Sequence, residues 1–175
     1  RRKAKPFVYR IHDVPDETRL HDLALVAATF GYKIKTSGSS AEINRSLNKM
    51  LADVKGKGEE NFLSVLAIRT MAKAVYSTEN VGHYGLGFEY YTHFTSPIRR
   101  YPDMMVHRLL ERYLHGGRSV DAVKLEDECK HSSDMEQLAV NAERASIKYK
   151  QLEYMMDHIG EEVYGMISGV TEWGI

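Results

Sequence analysis

Residues 91–103 read Tyr91-Thr92-His93-Phe94-Thr95-Ser96-Pro97-Ile98-Arg99-Arg100-Tyr101-Pro102-Asp103, and they constrain the chain more tightly than any other stretch. Ser96-Pro97 predicts a helix start. Ser suits the N-cap, and Pro suits the first helical position, where its N–H has no ladder partner to lose. Just upstream, residues 81–94 interleave Gly with Tyr and Phe. That pattern predicts a β hairpin or a close approach of backbones. The chain therefore changes from β-like to helical within a few residues, and Arg99 and Arg100 stand at the junction. The first turn of a helix has free N–H groups and a positive dipole end. Two guanidiniums add fixed positive charge, and each can grip phosphate oxygens in bidentate fashion. Tyr91, His93, Phe94 and Tyr101 can stack on bases. This combination suits a single-stranded nucleic acid. The same residues also fit a solvent-facing arginine pair, with Tyr91 and Phe94 as core side chains of a strand.

The chain has 175 residues, one domain's worth, and enough to bury a core. No apolar run is long enough to span a membrane. Arg1 to Lys5 is basic, but no apolar stretch follows as in a signal peptide. A single cysteine, Cys129, excludes an intrachain disulfide framework and a multi-cysteine zinc site. A cytoplasmic location is expected, and Cys129 is expected at a half-buried helix position. Lys and Arg number 24, as do Asp and Glu. That balance argues against a broad electrostatic funnel over this segment, though not against a local one. The chain lacks an initial Met and stops within a strand-like pattern, so it reads as a fragment.

The remaining periodicity is mostly helical. Residues 9–16 predict a loop. Asp16 is a candidate cap for a helix to about Gly31, with Leu20, Leu23, Ala24, Ala27 and Phe30 on one face. Gly38-Ser39-Ser40 caps a second helix, with Ile43, Leu47, Met50 or Leu51, and Val54 on its buried face. A third helix is expected over about 61–76. The fourth runs from Ser96 to His115, with Met105, Val106, Leu109, Leu110 and Tyr113 as its stripe. Pro102 is expected to bend or divide it. After an amphipathic stretch over 120–131, Ser133 and Glu136 predict a capping box. That box would open a long helix carrying Leu138, Ala142, Ala145, Tyr149, Leu152, Met156 and Ile159, closed by Gly160. Residues 163–175 turn β-like.

The motif over 91–103, with His107-Arg108 after it, resembles the signature of the ribonuclease II/ribonuclease R family. Gly82-His83-Tyr84-Gly85-Leu86-Gly87 fits that family's ribonuclease R branch better. Pro6-Phe7-Val8-Tyr9-Arg10-Ile11-His12 and Ser168-Gly169-Val170-Thr171 also look like the family. The resemblance covers nearly the whole chain. It implies the C-terminal portion of a catalytic domain over 1–160 and the truncated start of an OB-type RNA-binding domain over 161–175. The implied fold is a mainly α fragment of an α+β domain, with helices around a glycine-rich β hairpin and the opening of an OB-type barrel.

The implied activity is processive 3′-to-5′ hydrolysis of RNA to nucleoside 5′-monophosphates, with Mg²⁺ held by carboxylates. The family's aspartate cluster lies in the earlier half of the domain, and no such run occurs here. Asp13 and Asp16 match the family downstream of it. No metal ligand is therefore expected from this chain, and the isolated fragment is expected to be inactive. Arg99 matches the family's catalytic arginine, with the task of neutralising charge on the scissile phosphate. Arg100 faces about 100° away on a helix and is expected to pair with an acid or touch another phosphate. Asp103 is the expected acid partner of an arginine. Tyr91 and His93 are expected to contact RNA. Glu143 resembles the position that hydrogen-bonds a base near the 3′ end, against a plain solvated glutamate. Trp173 is a candidate stacking platform, against an ordinary strand residue. Single-stranded RNA is the implied partner, with no membrane and no obligate protein partner.

Two other functions compete. His12-Asp13 and His21-Asp22 resemble the dipeptide of the HD metal phosphohydrolases, which requires converging ligands. A catalytically silent RNA-binding module would keep the same arginine wall. His83, His93 and His107 have no spacing that pairs them on one helical turn for zinc.

Overall fold

The computed structural model describes residues 5–165, which fall into two compact units. One is Asp13–Lys73. The other joins residues 5–12 to Ala74–Tyr164.

The first unit is built from α1 (Glu17–Thr29), α2 (Ser40–Asp53) and α3 (Glu60–Thr70). Local chemistry starts and stops them. The Asp16 carboxylate accepts the Arg19 N–H at 3.0 Å, and Gly31 at φ +85° turns the chain away after α1. Ser39 and Glu42 form a reciprocal capping box at α2. The Ser39 backbone N–H, then Lys35 and the Ser39 hydroxyl, hold the Glu42 carboxyl down at about 2. Leu20, Leu23, Ala27, Leu47, Met50, Val54, Leu63 and Ala67 form one buried cluster. Helix α3 stops at Thr70, short of the expected 76. The reason is tertiary: Val75 is claimed by a strand, and strand pairing outweighs the local helical pattern.

That strand, β2 (Val75–Ser77), pairs antiparallel with β1 (Tyr9–Ile11) in the second unit. Arg10 lies opposite Tyr76. The predicted loop over 9–16 thus begins with strand residues. Helix α4 (Tyr101–Leu114) and the long α5 (Ala122–Met156) complete this unit. Val8, Tyr76, Met105, Val106, Leu109, Leu125 and Cys129 form its core. Cys129 is fully rather than half buried, and burial pushes its thiol up to about 12.

Several expectations need correction here. Residues 81–94 do not form a hairpin of strands. A short 3₁₀ turn (Tyr84–Leu86) sits inside an isolated bridge between His83 and Phe88. The glycines serve close approach instead. The Gly85 N–H donates to His12 Nδ1 at 2.9 Å, and a Cβ there would lie 2.9 Å from that nitrogen.

Helix α4 begins at Tyr101, not Ser96. The Asp103 carboxylate captures the Ser96 N–H, and residues 97–99 form a separate turn. Pro102 then lies in the first helical turn, where no ladder bond is lost, so the predicted bend is absent. The capping box at Ser133 is also absent, because α5 runs on from its Asp121 cap. The Ser133 hydroxyl donates to the Cys129 carbonyl and accepts the Tyr76 N–H, while Glu136 pairs with Arg10. Tertiary partners therefore take both groups.

Leu138, Tyr149, Leu152 and Met156 on the later part of α5, and Ile159 just past its end, are exposed. The expected OB-type start rests largely on residues beyond 165. Trp173 and Ser168-Gly169-Val170-Thr171 lie outside the described residues. No helix is long and apolar enough to cross a membrane among the described residues.

Candidate functional site

Arg99, Arg100, Tyr101 and Pro102 face α5 across a groove of about 920 Å³. From α5, Glu128, His131, Met135, Ala139 and Glu143 line it at spacings of three and four. That spacing is one helical face. Arg99 sits on a tight turn: the N–H groups of Arg99 and Arg100 both donate to the Ser96 carbonyl, at 3.2 and 3.0 Å. The Ile98 side chain beside it is fully exposed. The Arg99 side chain makes no hydrogen bond or ion pair among the described residues. Arg100 differs, because its Nη2 donates to Asp103 Oδ2 at 2.8 Å. Asp103 is 0% exposed.

Residues far apart in the chain meet at the back of the groove. Glu136 Oε2 accepts from Arg10 Nη1 at 2.6 Å. The Arg10 guanidinium lies 4.5 Å from the centroid of the Tyr76 ring, a cation–π arrangement. The Tyr76 hydroxyl meets His93 Nδ1 at 2.8 Å. Burial drives the tyrosine up to about 12, so it keeps its proton and donates. Burial, then the Arg100 and Arg10 charges, lower the His93 pKa. A neutral imidazole accepting at Nδ1 satisfies both groups.

This pair sets a pH dependence. A histidine with a depressed folded pKa contributes stability above the unfolded value of about 6.5, lost as the pH falls through the folded value. His83 is lowered in the same sense, by burial and then by His12 and Arg10. Urea midpoints should therefore fall between pH 7.5 and 5.5, and His93→Gln should flatten that fall. An equal fall in His93→Gln would remove His93 as a source.

Of the sequence-predicted residues, the groove brings together Arg99, Arg100, Tyr101 and Glu143. Tyr91 and His93 do not line it. They belong to a ring cluster in which Tyr91 meets His83 at 5.1 Å and His93 at 5.7 Å and stacks on Phe88. The cluster reaches the groove through Tyr76. Phe94 stacks on His107 at 4.1 Å. Nothing local marked Tyr76, Arg10 and Glu136 as neighbours of the groove, and Arg10 and Glu136 stand 126 positions apart. No group of three or more His, Cys, Asp or Glu side chains is placed to hold a metal among the described residues. His21 and Asp22 are both exposed on α1, and His12 Nδ1 is engaged by Gly85.

Residues 1–116 match the family described as the RNB domain. The chain is 43% identical over 173 residues to "Ribonuclease R" of Aquifex aeolicus (strain VF5), covering 97% of this chain and 24% of that protein. It thus spans about a quarter of the length of that curated relative. Among solved structures it is similar to Mycoplasma genitalium RNase R in complex with ribose methylated single-stranded RNA. There the TM-score is 0.82 at 29% identity, over 97% of this chain and 28% of the other. Yeast Ssd1, a pseudonuclease, matches at a TM-score of 0.60 and 27% identity over 74% of this chain and 17% of the other. Because the family match takes in well over half of the sequence, Arg99 and its turn included, this chain belongs to the RNB-domain family.

Proposed function

We propose that the chain supplies part of the RNA-holding wall of a processive 3′-to-5′ exoribonuclease of the ribonuclease R kind. The observation that carries this reading is the Arg99 guanidinium, left without a protein partner in a groove shared with Glu143. An unpaired guanidinium over an open groove is built to receive an anion, and a phosphodiester fits its planar fork. In the proposed reaction, water adds to the phosphorus of the last linkage. The bond from phosphorus to the 3′ oxygen of the preceding nucleotide breaks, and the released nucleotide keeps its 5′-phosphate. Negative charge grows on the phosphoryl oxygens as water adds. Arg99 acts there, as a donor already in place. Glu143, exposed on α5, accepts from a base near the 3′ end. Tyr91 and His93 act through Tyr76, by holding the back of the groove. Mg²⁺ belongs to this reading as a cofactor. In this reading it is held by carboxylates outside this chain, and no step above runs through it.

The 175-residue chain alone, given Mg²⁺ and a single-stranded oligomer, is expected to release no nucleoside monophosphate. The complete protein is expected to release it steadily. Turnover by the isolated chain would overturn the placement of the metal donors. A catalytically silent RNA-binding module is the second reading, favoured by the likeness to a pseudonuclease. Tight RNA binding by the complete protein, with no hydrolysis in Mg²⁺ or Mn²⁺, would select it.

A further inference from the structure

Asp103 is the one carboxylate among the fully buried side chains of the described residues. It lies in the first turn of α4, and its Oδ2 accepts two hydrogen bonds that do different work. The Ser96 N–H at 2.7 Å ties down the entry of the turn, and Arg100 Nη2 at 2.8 Å ties down its exit. The Asp103 N–H in turn donates to the Arg100 carbonyl at 3.2 Å. Between these ties lies the segment that carries Arg99. Besides these ties it is held only by the Arg99 and Arg100 N–H bonds to the Ser96 carbonyl, since Ile98 at the tip is fully exposed and the Arg99 side chain bonds to no other side chain. A turn whose tip side chains are exposed keeps one geometry only where its ends are fixed. A buried charge is tolerated where it is paired and hydrogen-bonded. Burial works against ionisation of Asp103, but Arg100 and the Ser96 N–H outweigh it and hold the carboxyl below its ordinary value. Oδ1 and the Arg100 Nε are buried without a protein partner.

We infer that Asp103 is a positioning residue for the reaction, clamping both ends of the 96–100 turn so that Arg99 is held at the phosphate. This rests on the phosphate role proposed for Arg99. Asp103 touches no substrate. It acts by sparing Arg99 a search among turn conformations, and a misplacement of about 1 Å at a reacting centre costs on the order of 10²-fold in rate.

The test is a double-mutant cycle in the complete protein, with single-turnover cleavage and RNA dissociation constants as readouts. Asp103→Asn is expected to lower the cleavage rate by about ten- to a hundredfold with little change in the dissociation constant. In the Arg99→Ala background the same substitution should lower the rate no further. If Asp103→Asn does not stay folded at the assay temperature, Asp103→Glu carries the same cycle, since it keeps the buried charge paired with Arg100 while its extra methylene displaces the oxygen that both ends of the turn share. An equal fractional loss in both backgrounds would overturn the inference and make Asp103 a general structural residue. If Arg99→Ala itself leaves the rate unchanged, the phosphate role fails instead, whatever Asp103 does.

Discussion

Replacing Arg99 with Ala in the complete protein is expected to lower turnover on single-stranded RNA about 10²–10³-fold. The RNA dissociation constant should stay nearly unchanged. The asymmetry follows from where the guanidinium sits. A bound strand makes many phosphate contacts, and one exposed arginine among them adds little to affinity. In the proposed reaction the same arginine meets the phosphate whose charge grows during hydrolysis, so its loss should fall on the transition state. Arg99 is free to do this because the neighbouring cation, Arg100, is spent on Asp103. Arg99→Lys should recover only part of the rate, because an ammonium lacks the planar fork. Single-turnover rates set beside binding isotherms decide the matter. A rise in the dissociation constant in proportion to the rate loss would make Arg99 a binding residue.

Leu47→Ala is expected to destabilise the three-helix unit by about 2–5 kcal/mol. Leu47 is 1% exposed and sits in the cluster with Leu20, Leu23 and Leu63. Truncation removes apolar contact and leaves a cavity that the surrounding helices fill only in part. Net stabilities of domains are about 5–15 kcal/mol, so this one change is a large share. Leu25→Ala is the control: Leu25 lies on the exposed side of α1, and its change should stay within about 0.5 kcal/mol. Denaturant midpoints of the two variants test the pair. Equal midpoints would mean that Leu47 is not the core residue its burial indicates.

Much of the helical unit was legible because its signals are local. Asp16 reaches the Arg19 N–H, and Ser39 and Glu42 satisfy one another within one turn. The apolar stripe of α4 was likewise readable from spacing, and Met105, Val106 and Leu109 are buried as it requires. The errors share the opposite property. Ser133 and Glu136 have the letters of a capping box, yet Tyr76 and Arg10 claim them from more than fifty positions away. Val75 has helical spacing, yet Ile11 takes it into a strand. Ser96 looks like an N-cap, yet its own N–H is captured by Asp103.

The site divides in the same way. The motif around Arg99 is contiguous, so its residue types, their spacing and the likeness to the ribonuclease II/ribonuclease R family could be read in one pass. Glu143 was singled out by likeness alone, because nothing in its immediate neighbours distinguishes it from a solvated helix residue. Sequence by itself determined the caps of α1 and α2, the apolar stripe of α4 and the arginine pair, since each is decided by atoms within a few residues. Only the tertiary structure decided which arginine is free. It set Arg100 on the buried Asp103, laid α5 unbroken across the groove and moved Tyr91 and His93 into the ring cluster behind Tyr76. Those outcomes depend on which distant groups compete for the same hydrogen-bond donors and acceptors, and that competition exists only once the chain has folded.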